Sequence, residues 1–391
     1  MIIGIVLPSL PGYSETFFRS KILGLQEKGI KIIVFTSESG NNKEFLGCKV
    51  LSMPKFKGNK FRVITRVFQE LGTIFFKFPK QNWQLYKLNI KDNIPFSENC
   101  KSIILNQFLL SEKIDWLHFG FGTTVLGREN IAQVIGAKMA VSFRGFDHYV
   151  YPIKNKDCYQ LLFSKEVKYH VLSESMKLSL INNGISSKRI NKITPAIDVS
   201  LFSNLVEIVN NSVTQLLTIA RLHWVKGLDY TLQALAVLRD KGFEFHYTII
   251  GDGVEIERLV FAVHQLGLSN YVTFTGKLSS NDIKEQLQKT DLYLQYSNQE
   301  GFCNAVLEAQ AMGKICIVSD AEGLIENVVD QVTGFVVEKR NPIALAAKIA
   351  EVQEMSNERK TEISQNAIAR VQKKFTLHKQ IEKFVEFYVD N

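Results

Sequence analysis

Cysteine is scarce in this chain and poorly placed for crosslinking. The five residues Cys48, Cys100, Cys158, Cys303 and Cys316 are odd in number, widely spaced and without a Cys-x-x-Cys pair. That excludes a disulfide framework and a zinc finger, and it fits a reducing cytosol. No apolar run approaches the roughly 18 residues of a spanning helix. The opening residues 1–12 carry no basic leader and no small-residue cleavage site, so they are expected to be a first strand rather than a signal peptide. No Asp-x-Asp occurs anywhere. No low-complexity segment or short internal repeat breaks the chain.

What is present is the composition of a soluble globular protein. Of 391 residues, 46% are hydrophobic and 22% charged, enough for two cores. The net charge of +8 favours acidic partners such as phosphates or anionic lipid.

Short apolar runs alternate with helix-period segments, the rhythm of parallel βαβ units. In the first half, strands are expected at 1–7, 30–36, 114–119 and 138–143, with helices at 14–28 and around 124–135. In the second half, strands are expected at 216–219, 245–250, 272–274, 292–295 and 315–318. The intervening helices are expected at 227–239, 255–266, 283–288 and 304–312. The expected fold is therefore α/β, with two doubly wound, Rossmann-like domains facing a central cleft. The aperiodic stretch 195–214 reads as the linker, giving domains at 1–197 and 198–391. A last helix near 382–388 is free to fold back on the first domain.

Several strand ends carry chemistry. Glu300 and Glu308 flank a helix start, and eight residues of helix span about 12 Å. That is near the length from a sugar across a diphosphate to a ribose, so the two carboxylates suit both ends of a nucleotide sugar. Gly301 permits close backbone approach, and the free amides that follow suit a phosphate. Two solvated glutamates around an ordinary helix cap would look the same. Arg221 and Lys226 follow another strand and offer a fork and a point charge to a diphosphate leaving group. An exposed basic loop is the plainer alternative. The glycine turns at Gly251-Asp252-Gly253 and at Gly276-Lys277-Leu278 either flank a nucleobase or simply turn the chain. In the first half, Gly12 permits close approach and Ser14 can cap a helix. His118 ends a strand before two glycines. Arg144 and Asp147 end another, where they either pair with each other, cap the turn or touch substrate.

Together these residues resemble the retaining GT-B glycosyltransferases of the GT4 type, particularly those that build bacterial surface polysaccharides. The resemblance runs over most of the chain. Its C-terminal part rests on Arg221, Lys226-Gly227, Gly251-Asp252-Gly253, Phe274-Thr275-Gly276, Glu300 through Asn304, Glu308-Ala309 and Gly313. Its N-terminal part rests on Ser14-Glu15-Thr16-Phe17, His118-Phe119-Gly120 and Arg144-Gly145-Phe146-Asp147. Pro195-Ala196-Ile197-Asp198 with Phe202 resembles the family's interdomain stretch.

The resemblance implies a donor site of Gly12, Arg221, Lys226, Gly251, Gly276, Leu278, Glu300, Gly301, Phe302, Cys303, Asn304 and Glu308. In it Arg221 and Lys226 hold the diphosphate, Glu300 the sugar and Glu308 the ribose. His118, Glu300, Arg221 and Lys226 form the implied catalytic set. Ser14, Glu15, Arg144 and Asp147 are the implied acceptor contacts. Many relatives have His where this chain has Arg144, which fits an anionic acceptor and removes an acid–base group. The donor is expected to be a UDP- or GDP-linked sugar, with neither cofactor nor metal. The acceptor is expected to be a glycan or a lipid-linked glycan. A nucleotide-sugar epimerase and a non-catalytic sugar-binding subunit are the competing functions.

One segment is set apart by charge. Pro54–Lys91 holds nine Lys or Arg and a single acid, Glu70. Phe61, Ile64, Phe68, Leu71, Phe75 and Phe78 recur at helical spacing, with Pro79 as the expected stop. Two readings fit: a basic amphipathic helix in an anionic membrane interface, or a core-facing helix with a solvated basic back. The first would place the protein at the inner face of the cell membrane. No module accompanies the charge that would point to nucleic acid.

Overall fold

The computed structural model describes residues 1–12, 16–38, 42–54, 56, 59–203 and 213–389. Two compact units emerge, one of Met1–Ile193 with Ile381–Asn391, the other of Thr194–Gln380.

The first unit holds an eight-stranded sheet in the order β3-β4-β2-β1-β5-β6-β7-β8. Its strands are β1 (Ile2–Leu7), β2 (Lys31–Thr36), β3 (Glu44–Phe45), β4 (Cys48–Ser52), β5 (Trp116–Phe119), β6 (Lys138–Ser142), β7 (Lys168–Val171) and β8 (Ile190–Lys192). Among the described residues, only the β3–β4 pair is antiparallel. Central strands are apolar on both faces, since helices cover both sides of a parallel sheet. Ile3, Ile5, Val6 and Leu7 are accordingly all buried. The terminal helix Leu377–Val389 supplies Phe384, Phe387 and Tyr388 to this core.

The second unit holds a six-stranded sheet in the order β11-β10-β9-β12-β13-β14. Its strands are β9 (Thr214–Ile219), β10 (Phe245–Ile250), β11 (Val272–Gly276), β12 (Leu292–Gln295), β13 (Ile315–Ser319) and β14 (Phe335–Val337). Every pair is parallel, so all strands end on one edge. The chain winds from β9 outward to β11, then returns and winds from β12 outward to β14. The switch in direction falls between β9 and β12, where open α/β sheets bind ligands. Helix Leu228–Asp240 lays Leu228, Leu232, Leu235 and Leu238 on this sheet at 3- and 4-residue spacing.

Several elements depart from the periodicity reading. The helix expected around 124–135 is a short turn at Gly122–Thr124 and a helix only over Ile131–Ile135. Gly127 between them takes a left-handed φ of 75°, which an α-helix cannot contain. Helix Ser280–Lys289 starts three residues earlier than the apolar pattern, because Ser279 and Asp282 form a capping box. Pro79 does not end a helix but opens a second one, Pro79–Lys91. Its missing N–H costs nothing in the first turn. The stretch before it is helix Lys60–Gly72 and a π-turn at Thr73–Lys77. The division between units falls at 193/194, ahead of the stretch 195–214 read as the linker.

Candidate functional site

The site of the second unit is built by two loops that lean on each other at the switch point. After β9, residues 220–227 turn through a short 3-10 segment, Trp224–Lys226. After β12, residues 296–303 lead into helix Asn304–Ala311. The amides of Asn298 and Gln299 both donate to the Val225 carbonyl, at 2.8 and 3.3 Å. The Asn298 side chain donates to the Trp224 carbonyl at 2.9 Å. Gly227 completes the latch at a φ of 60°. A Cβ there would stand 2.2 Å from the Tyr296 carbonyl oxygen, so only glycine fits.

The latch brings charges together. Lys226 Nζ pairs with Glu300 Oε2, with 16% and 13% of each side chain exposed. Burial works against the Lys226 charge, but the Glu300 carboxylate together with Cys303 outweighs it and holds the ammonium above its ordinary range. Ser297 Oγ lies 3.4 Å from the same Glu300 oxygen and is held in turn by Gln295 at 2.9 Å. Arg221 is exposed and forms no ion pair among the described residues. Glu308 is partly buried, and desolvation pushes its carboxyl up to about 7. The Cys303 thiol lies within the field of Glu300, Lys226 and Glu308. Burial first, then Glu300, pushes that thiol up to about 12, so it is inert as a nucleophile. One loop edge therefore offers a free guanidinium, a paired ammonium, two carboxylates and a helix start.

In the first unit, a hydrogen-bonded chain runs through the core beside β5. His170 Nε2 faces the Ile193 carbonyl at 2.9 Å, so it carries the proton. His170 Nδ1 must then accept from Ser142 Oγ, at 2.7 Å. Ser142 in turn accepts from His118 Nε2, also at 2.7 Å. That leaves His118 Nδ1 as the acceptor for the Tyr388 hydroxyl and for Lys21 Nζ, the latter at 3.4 Å. Burial, followed by the Lys21 charge, holds His118 neutral, well below the usual imidazole range. Nearby, the Asp147 carboxylate accepts from the amides of Gly122 at 2.5 Å and Arg144 at 2.7 Å. The Arg144 guanidinium lies over the Phe17 ring at 3.9 Å and beside those of Phe18 and Phe121.

Residues 207–370 match the family described as Glycosyl transferases group 1. Over 96% of both chains, the sequence is 25% identical to a putative colanic acid biosynthesis glycosyltransferase, WcaL of Escherichia coli. It is 27% identical to AmsK, an amylovoran biosynthesis glycosyltransferase of Erwinia amylovora, in a match that spans 59% of each chain. Among solved structures, a glycosyltransferase of Rickettsia africae superposes with a TM-score of 0.72, covering 99% of this chain and 97% of that one at 21% identity. HepE of Anabaena, in complex with UDP and glucose, gives the same TM-score over 99% and 98% at 18% identity. The chain has the GT-B fold, and its second unit carries the glycosyltransferase match.

In the second unit, Arg221, Lys226, Glu300, Cys303 and Glu308 meet at one loop edge. The other expected positions divide. His118 cannot touch a substrate in this arrangement: it is fully buried and both ring nitrogens are taken. Asp147 is likewise buried and spends its carboxylate joining the β5 and β6 loops, so it is a loop staple and not an acceptor contact. The Cys303 amide is not free for phosphate, because Asn327 Oδ1 accepts it at 2.9 Å while Asn327 Nδ2 donates to the Cys303 carbonyl. The next amides, of Asn304 and Ala305, have no intrahelical acceptor. Phe302 turns its ring inward onto Phe375. Gly251 serves backbone packing: a Cβ there would meet the Ala220 carbonyl oxygen at 1.9 Å. Gly12 is exposed, Gly276 has open space about it and Leu278 is half-buried. Ser14 and Glu15 lie outside the described residues.

Sequence reasoning missed Asn327, Ser297 and Gly323. Gly323 donates to the Glu300 carbonyl at 3.0 Å, and a Cβ on it would strike the Gly301 carbonyl. A glycine just past β13 was its signal. Asn327 left none, since its partner is 24 residues away.

Proposed function

We propose that this glycosyltransferase moves a sugar from a nucleotide-sugar donor to a glycan or lipid-linked acceptor in bacterial polysaccharide biosynthesis, with retention of configuration. The observation that carries the reading is the Lys226–Glu300 pair at the switch point, with Glu308 and the exposed Arg221 within its field. Arg221 and Lys226 hold the diphosphate. As the bond between the anomeric carbon and the phosphate oxygen breaks, negative charge grows on that oxygen, and the two cations stabilise it. Glu300 accepts from sugar hydroxyls and Glu308 from ribose hydroxyls. The acceptor hydroxyl attacks the face that the phosphate leaves, and the departing phosphate takes its proton. WcaL and AmsK are named for colanic acid and amylovoran biosynthesis, which supports a biosynthetic role here. Two fixed cations do the work that a divalent ion would otherwise do, so turnover should persist in a chelator. Five free cysteines support a reducing compartment.

The test is nucleotide release from UDP- and GDP-sugars with and without a bacterial lipid-linked glycan fraction. Acceptor-dependent release, reduced at least about 100-fold by Lys226→Ala, supports transfer. Epimerised donor without released nucleotide would replace transfer by epimerisation. Unchanged product in the Lys226→Ala variant would leave a binding subunit.

A further inference from the structure

Helix Lys60–Gly72 is inside out. On helix Lys60–Gly72, Glu70 is only 7% exposed and pairs with Arg66 at 2.9 Å, while Phe61 and Phe68 are 74% and 68% exposed. At about 100° per residue, Phe61, Ile64 and Phe68 share one face and Glu70 lies opposite. The one acid of the segment thus faces the protein and its apolar ridge faces out. The π-turn Thr73–Lys77 extends the ridge with Phe75 and Phe76, the latter 90% exposed. Helix Pro79–Lys91 adds an exposed Trp83, with exposed Lys80, Lys87 and Lys91 along the same helix. So many exposed aromatics along one short segment mark an interaction site.

We propose that this ridge docks in the headgroup region of an anionic lipid bilayer. Phenylalanine and tryptophan beside lysines are the side chains that lie at the boundary between headgroups and acyl chains. Charge decides the occupant. Pro54–Lys91 carries nine cations against one acid, and the acid is buried in its ion pair. A second copy of this chain would set two such cationic segments face to face, whereas an anionic bilayer complements each of them. The inference deepens the proposed lipid-linked acceptor, from which it takes its purpose; the docking itself does not depend on sugar transfer.

The test is co-sedimentation of the full chain with vesicles of phosphatidylcholine alone and of phosphatidylcholine with phosphatidylglycerol. Binding should require the anionic lipid, weaken as salt rises and shift Trp83 emission to the blue, a shift lost in Trp83→Phe. Phe68→Ser, Phe75→Ser and Phe76→Ser should each lower partitioning about tenfold. Lys80→Gln and Lys87→Gln should each lower it about fivefold. UDP and GDP binding, measured in every variant, reports on the second unit separately. Docking lost with nucleotide binding intact therefore counts for the ridge, and docking without turnover counts against transfer alone. No preference for anionic vesicles at low salt, or an unchanged triple Phe→Ser variant, overturns the proposal. So does a concentration-dependent dimer that the triple variant dissolves when vesicles do not bind.

Discussion

Glu308 couples stability to pH in the direction opposite to most carboxylates. Its only resolved influence is desolvation, which lifts it from 4.5 to about 7. Between those values the folded protein keeps a proton that the unfolded chain has released. Stability therefore falls as pH rises from 4.5, and above 7 the full penalty is present. The shift is worth about 3 kcal/mol, of which about 1 is already present at pH 5. Glu308→Gln keeps the shape without the charge. Relative to wild type, the variant should gain roughly 2 kcal/mol more at pH 8 than at pH 5, about 4–8 °C in the transition of the second unit. Calorimetry at the two pH values gives the comparison. UDP or GDP should bind wild type about tenfold more tightly at pH 8 than at pH 6, because only the ionised carboxylate accepts from both ribose hydroxyls. The variant should bind weakly and without that slope. An equal stability gain at pH 5 and pH 8 would refute the desolvated carboxyl.

Gly227→Ala meets both a left-handed φ and the Tyr296 carbonyl, so it should cost at least about 2 kcal/mol and weaken nucleotide binding. Gly242→Ala, with a φ of 74° and open space, carries only the backbone cost; equal losses in thermal melts would dismiss the collision. Lys21 is buried, and desolvation followed by the Arg144 charge holds its ammonium well below the ordinary lysine range. The unfolded chain therefore binds a proton that the folded one resists, and this penalty grows as pH falls below the unfolded value of 10.5. Lys21→Met should raise stability at pH 7 with the gain shrinking toward pH 10.5, and a pH-independent difference in denaturant melts would refute this.

What the sequence disclosed follows from what periodicity can and cannot carry. β10 and β12 were read with their observed limits, because each is a short apolar run between clear turns. Arg221, Lys226, Glu300 and Glu308 could be grouped because a parallel sheet brings every strand's C-terminal end to one edge. His118 could not be placed. Its burial depends on Tyr388, 270 positions away, and no local pattern reports a contact so distant. The ridge at 60–76 shows a subtler limit. Spacing located the apolar face of that helix, but spacing cannot say on which side the protein lies. The departures at Gly127 and Ser279 are local and could have been read from a left-handed glycine and a capping pair.

The terminal helix has a consequence for how the protein is made. Trp116 donates to the Tyr388 carbonyl across 272 positions, and Phe384, Phe387 and Tyr388 complete the first core. On a ribosome adding about 5–20 residues per second, the second unit's 187 positions, Thr194–Gln380, take roughly 10–40 s. Through that interval the first sheet waits with an open seam where Trp116, His118 and His170 will be covered. The unit that is translated first is therefore the last to close, and the one behind it has time to fold alone.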